Sequence, residues 1–289
     1  MPIPPYPLFR RACAEGLSTV RPLLPEARGD DHYGWNFGTG WPPSHAAFGR
    51  MRFLRTLGAA CTPSPSRILE VAAGGGALSA CLARDGAMVV TNDLRENELR
   101  QALSQYENGG SITIAPGNLF ALDPASLGQF DLVIACEVLE HVAHPDDLLR
   151  HLRRFLTPSG RLLLTTPNGA YFRNRLPTLA TITDHATLEA HQFKPDADGH
   201  LFLITPAELK ALAARAGLEI ATLELFGTPL ITGHCQLSLL QTSRLTRVCY
   251  LIEAACNRLP AGLRARLFFG LLAVMVCKDF SETESSLKP

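Results

Sequence analysis

The sequence predicts an α/β fold: a doubly wound, mostly parallel sheet with helices on both faces, and helical segments before and within it. Three observations predict it. Short apolar runs alternate with helical patterns from residue 67 to residue 216, the rhythm of strands each followed by a covering helix. The run Ile68-Leu-Glu-Val71 breaks into Gly74, Gly75 and Gly76 before a helical pattern starts at Ala77. Glycines there let a ligand approach the backbone, and the helix start offers unpaired N–H groups. Asp93 closes the next apolar run, about twenty residues after the glycines, where doubly wound folds set a carboxylate against ribose hydroxyls.

Residues 1–42 are rich in Pro and Gly. Within them 9–20 read as one helix. Residues 30–41, with both tryptophans among glycines, read as a loop that either plugs the N-terminus onto the core or folds over a ligand. Residues 44–60 read as a helix with Ala47, Met51, Leu54 and Leu57 on one face, ended by Pro63 and Pro65. Strands follow near 67–72, 87–92, 111–115, 130–136 and 160–166, and helices near 77–84, 94–107 and 145–156. Thr205 and Pro206 supply the N-cap and first position of a helix over 205–216. A sixth strand covers 218–226 and a seventh 271–278.

Two stretches fit no strand–helix unit. Residues 169–204 hold Tyr171, Arg173, Asn174, Arg175, His185, His191 and His200. In 227–266, apolar residues at 237, 240, 245, 248, 252 and 255 recur near helical spacing beside Arg244, Arg247, Arg258, Arg264 and Arg266. A helix of this kind packs on its own domain, joins a homodimer, or makes peripheral contact with a membrane. The chain therefore divides into an N-terminal helical or lid segment, 1–60, and a ligand-binding domain, 61–289, that carries insertions at 169–204 and 227–266.

Composition narrows the class. The chain has 289 residues, 46% hydrophobic and 19% charged, with 27 Lys+Arg against 27 Asp+Glu. A net charge of zero speaks against nucleic acid as a partner, which a basic surplus would accompany. The eight cysteines form no C-x-x-C pair and read as reduced, buried thiols of a cytoplasmic protein. The start carries no signal-peptide pattern, and the longest apolar run, 267–277, is too short to span a bilayer.

The glycine turn alone does not fix the ligand. The dinucleotide fingerprint G-x-G-x-x-G, counted from Gly74, ends on Ser79 and fails, which weakens an NAD-linked reading. Two later segments decide: Phe130-Asp-Leu-Val-Ile-Ala-Cys-Glu-Val-Leu-Glu-His-Val142 and Leu156-Thr-Pro-Ser-Gly-Arg-Leu-Leu-Leu-Thr-Thr-Pro-Asn168. With them the chain resembles the class I S-adenosylmethionine-dependent methyltransferases, most of all the branch containing the ubiquinone-biosynthesis O-methyltransferases. The resemblance covers roughly 67–220 and implies a Rossmann-like sheet of six parallel strands and an antiparallel seventh. It implies S-adenosylmethionine as cofactor and a small-molecule acceptor methylated at oxygen: a phenol, a sugar or a lipid-linked group. The alternative is a catalytically inactive scaffold or sensor that binds the same cofactor.

Site residues follow from the residues and the resemblance together. The turn from Ala72 through Gly74 to Gly76 gives backbone room for the methionine end, with Ala72 where the family has its first glycine. Glu70 orients that turn or the amino group. Asp93 accepts from the ribose hydroxyls. Asn118 stands where the family often has an Asp, and its amide oxygen can accept from the adenine amine; Leu94 and Leu119 flank the ring. Cys136 ends the fourth strand, where the backbone faces the cofactor in relatives. Relatives sometimes use an arginine near Arg52 for the methionine carboxylate. Glu137, Glu140 and His141 share one face if their segment is helical. His141 is then the base for an acceptor hydroxyl; the three residues bind a divalent ion, as the resemblance suggests; or the pair Glu140–His141 supports the loop. His200 faces the acceptor pocket or braces the insertion.

Overall fold

The structure, a computed structural model, describes residues 43–104, 106, 109–192, 199–232, 234 and 243–278. The helix expected at 9–20 and the aromatic loop at 30–41 lie outside these residues. Seven strands form one sheet: β1 (Arg67–Val71), β2 (Met88–Thr91), β3 (Thr113–Ile114), β4 (Phe130–Cys136), β5 (Leu156–Pro167), β6 (Leu218–Phe226) and β7 (Gly270–Cys277). Their order is β3-β2-β1-β4-β5-β7-β6. The first five run parallel, and β7 runs antiparallel to both β5 and β6, the six-plus-one arrangement that the resemblance implied.

β1 and β4 are largely apolar and buried on both faces, so each face must be covered. One face carries α1 (Pro43–Ala60), α2 (Ala77–Arg84) and α3 (Glu96–Leu103), which bury Met51, Leu57, Leu78 and Leu99. The other carries α4 (Pro145–Arg153) and α5 (Pro206–Arg215), which bury Leu148, Leu152, Leu209 and Leu212. At roughly 1.5–3 kcal/mol for each large apolar side chain fully buried, these two layers hold the sheet. α5 starts where the sequence indicates: the Thr205 hydroxyl accepts from the Glu208 N–H, and the Glu208 carboxylate accepts from the Thr205 N–H. The insertion before β7 forms α6 (Ser243–Cys256) and α7 (Ala261–Leu267). Buried Glu253 ties α6 inward by accepting from Gly227 and Thr228 N–H and pairing with Arg55. Val248, Leu251 and Ile252 of α6 are exposed. Among the described residues no helix is long and apolar enough to cross a membrane.

Some bounds differ from expectation for physical reasons. β5 begins at Leu156 rather than near 160, because Leu156 pairs with Phe130 before the register shifts. The helix expected over 94–107 begins at Glu96, because an Asp93 carboxylate oxygen accepts from the Arg95 N–H and holds the preceding residues in a turn. Strand order reverses between β1 and β4, and doubly wound folds bind their ligands at the carboxyl strand ends of such a switch point. The Ala72–Gly76 turn and the 137–141 segment both lie there.

Candidate active site

The turn after β1 is held by its neighbours. Ala72, Gly74 and Gly76 all have left-handed backbone, φ 51°, 56° and 66°. Gly76 is required twice over: besides its φ, a Cβ there would lie 2.6 Å from a Leu103 methyl. Ala72 adopts its conformation without that freedom, at a cost of roughly 1–2 kcal/mol. One Asp93 oxygen accepts from the Gly74 N–H at 2.8 Å, and the other accepts from the Arg95 N–H at 2.9 Å. The preceding residue, Asn92, is buried and joins three strand ends. Its N–H donates to the Glu70 carbonyl, its carbonyl accepts from Ala73, and its side-chain amide donates to the Ala115 and Gly117 carbonyls. Asn92 received no role from the sequence, although its place beside Asp93 signals it.

Around this frame the remaining expected residues take distinct positions. Leu94 is 45% exposed beside Asp93, whereas Leu119 is buried in the core, so the two leucines do not offer equivalent faces. The Asn118 side-chain oxygen accepts from the Phe120 N–H at 2.9 Å and caps a short turn. That bond occupies part of the acceptor capacity expected for an adenine amine. Cys136 is half-buried, and desolvation pushes its thiol pKa upward. Glu70 is 2% exposed, and Ser79 donates its hydroxyl to it.

Burial pushes the Glu70 carboxyl up to about 7, partly opposed by hydrogen bonds from Ser79. The folded pKa lies above the unfolded one, so the folded state binds the extra proton. Its ionisation therefore costs stability, absent below the unfolded value near 4.5, growing as pH rises, and complete above about 7. The cost is roughly 3 kcal/mol. In urea titrations at pH 5 and pH 8, Glu70→Gln is expected to lose less stability with rising pH than the wild type, by most of that amount. Equal losses would remove Glu70 as the source.

At the end of β4 the expected trio does not stand on one face. Glu137 has φ 55°, and Leu139–His141 form a single 3-10 turn rather than an α-helix. Glu137 turns toward Arg52 (2.6 Å) and the Thr165 hydroxyl (2.9 Å). Arg52 is therefore engaged with a carboxylate of the chain itself. Glu140 is fully buried, accepts from the Thr166 hydroxyl, and directs its second oxygen toward His200 Nε2 at 3.9 Å. Desolvation first, and then the Glu137 charge, hold its pKa well above the carboxylate range. His141 Nδ1 lies 3.1 Å from the Gly199 carbonyl, and its ring meets that of His200 edge-on at 4.9 Å. Desolvation and the neighbouring His141 lower the His200 pKa. His144 instead pairs with Glu189, and His185 with the Ala143 carbonyl.

A sequence family described as a methyltransferase domain matches residues 45–223 of the chain. The chain belongs to that family. The methyltransferase is 32% identical over 169 residues to the ubiquinone biosynthesis O-methyltransferase of Xanthomonas axonopodis pv. citri, covering 58% of this chain and 68% of the relative. The enzyme of that name from Pseudomonas entomophila is 33% identical over 179 residues, covering 60% and 72%. Among solved structures, a Galdieria sulphuraria protein assigned as a sarcosine dimethylglycine methyltransferase shares the fold: TM-score 0.53, 14% identity, 86% of this chain and 93% of that one.

A divalent ion at Glu137, Glu140 and His141 does not fit this geometry, because Glu137 is committed to Arg52 and Thr165. Glu140, His141 and His200 do fit one. Their ligand atoms all lie within 4.8 Å of one another, and among the described residues the buried Glu140 Oε1 has no hydrogen-bond partner. An ion there would act as a Lewis acid on an acceptor oxygen. The methyltransferase also has a larger groove, about 620 Å³, lined by Arg153, Arg154 and Gly217. It lies at the opposite end of the sheet, by the start of β5, away from the carboxyl ends where doubly wound folds bind.

Proposed function

We propose that the chain transfers the methyl group of S-adenosylmethionine to a hydroxyl of a small molecule bound beside Glu140, His141 and His200. The observation that carries this reading is the cluster of buried Glu140 with half-buried His141 and His200 past the end of β4, at the same strand ends as the turn that Asp93 holds. The names of the relatives favour oxygen as the acceptor atom. When bound, the sulfonium supplies a methyl carbon open to in-line attack. Asp93 holds the ribose and keeps the glycine turn closed around the methionine end. The Gly199 carbonyl takes the N–H of His141 Nδ1, which leaves the lone pair on Nε2 to receive the acceptor's hydroxyl proton. Glu140 faces His200, whose ring stands against that of His141 on the same side of the acceptor. Alignment and exclusion of water do most of the remaining work.

The experiment is calorimetric titration with S-adenosylmethionine, S-adenosylhomocysteine and NAD, followed by transfer of a labelled methyl group to a panel of phenols, sugars and lipid-linked alcohols, with and without a chelator. One-to-one binding of the first two, none of NAD, and label in a methyl ether are expected. Failure of S-adenosylhomocysteine to bind would overturn the reading.

A further inference from the structure

Beyond the carboxyl end of β5 lies a pocket of about 320 Å³ whose walls include Tyr171, Arg173, Arg175, His200, His234 and Phe269. Its walls have different characters. One is an aromatic box. Buried Tyr171 donates or accepts a 2.9 Å hydrogen bond with His234 Nδ1, and Tyr171, His234 and Phe269 meet pairwise at 5.3–5.5 Å between ring centres. A second is His200, the imidazole that faces Glu140. The third is cationic, formed by two guanidinium groups.

The two arginines differ in what they already do. Arg173 donates to the His234 carbonyl at 2.8 Å, and so helps to hold the box. Among the described residues Arg175 has no hydrogen bond or ion pair, and none of those that line the pocket is a carboxylate. Hydrogen bonds tie the loop that presents it to its surroundings. The Asn174 side chain donates to the Gly169 and Leu176 carbonyls and accepts from the Leu176 N–H. The bridge from Thr178 to Leu203 closes the loop at its far side. An exposed guanidinium fork beside an aromatic box suits a planar ligand with an oxyanion, since the fork binds carboxylate or phosphate with two parallel hydrogen bonds. The His200 end of the same pocket suits the hydroxyl to be methylated.

We propose that this pocket is the acceptor subsite, and that its ligand is a single-ring molecule carrying a carboxylate or phosphate that Arg175 binds. The proposal rests on the methyltransferase reading above and names the acceptor class for that site. Arg175 acts in specificity; it does not touch the transferring methyl group.

The test uses the full chain saturated with S-adenosylhomocysteine, titrated with benzoate, phenyl phosphate, benzamide and benzylamine. Benzoate or phenyl phosphate is expected to bind in the millimolar range, at least about fivefold more tightly than benzamide, and benzylamine more weakly still. Comparing the two anions separates carboxylate from phosphate. Arg175→Gln is expected to erase the preference, and Arg175→Lys to keep part of it. Neither should move S-adenosylhomocysteine affinity, which also verifies that the variants fold. Equal binding of anion and amide, no anion binding up to about 10 mM, or a preference that survives Arg175→Gln would overturn the proposal. Loss of S-adenosylhomocysteine binding by the wild type would instead overturn the methyltransferase reading itself.

Discussion

Replacing Asp93 by alanine is expected to lower S-adenosylhomocysteine affinity by roughly 30- to 100-fold, or about 2–2.7 kcal/mol, while the protein stays folded. Two effects add. The carboxylate that would receive the ribose hydroxyls is lost, and hydrogen bonds to a charged group are worth about 1.5–3 kcal/mol each. The same carboxylate accepts from the Gly74 and Arg95 N–H groups, so its removal also releases the turn. Gly74 is exposed and can exchange its lost partner for water, which limits the stability cost. Asp93→Asn tests the division. An amide oxygen can replace one acceptor but not two, so its loss should fall between wild type and alanine. Calorimetry reads both variants; an alanine variant within about twofold of wild type would mean that the ribose lies elsewhere.

Local patterns were legible in the sequence where the chain itself enforces them. β4, β6 and α2 lie where their apolar runs end in turn residues. The Pro158-Ser159-Gly160 signal has a steric basis: a Cβ at Gly160 would lie 2.8 Å from the Phe130 carbonyl oxygen and 2.9 Å from the Thr157 nitrogen, where β5 begins to follow β4. β3 is shorter than its apolar pattern over 111–115 predicts, because only two of its residues find partners on β2 at the sheet edge. The glycine turn and Asp93 were legible because their spacing is fixed by one strand–helix–strand unit.

The partners at the end of β4 were not legible, because they come from distant parts of the chain. Arg52 on α1 meets Glu137, and the Gly199 carbonyl meets His141 from 58 residues away. Helical spacing would have grouped Glu137 with Glu140 and His141. The left-handed backbone at Glu137 turns it away, and His200 takes its place in the cluster. No local periodicity encodes that exchange.

The second large effect follows from this exchange. Substituting His141 by alanine is expected to lower turnover by about 10²-fold or more, the usual contribution of a positioned base, with S-adenosylhomocysteine affinity changed by less than about threefold. A supporting role alone would instead affect binding and stability together. The pH profile separates the two. A base must lose its proton before it can act, so wild-type turnover should fall on the acid side through one ionisation, and the alanine variant should lack that limb. Glu140→Gln probes the same cluster from behind. Its amide can still accept from the Thr166 hydroxyl, as Glu140 does, but it brings no negative charge toward His200 or a bound cation. If an ion occupies Glu140, His141 and His200, Glu140→Gln should abolish the sensitivity to chelator along with most of the turnover. If the imidazole alone takes the proton, chelator should be without effect on the wild type, and Glu140→Gln should cost less than His141→Ala. Glu137→Gln leaves the cluster's three ligands in place and weakens the Arg52 pair, so its larger effect should appear in stability. A Glu137→Gln variant that lost turnover as His141→Ala does, with stability intact, would restore Glu137 to the reacting group and contradict the geometry at the end of β4.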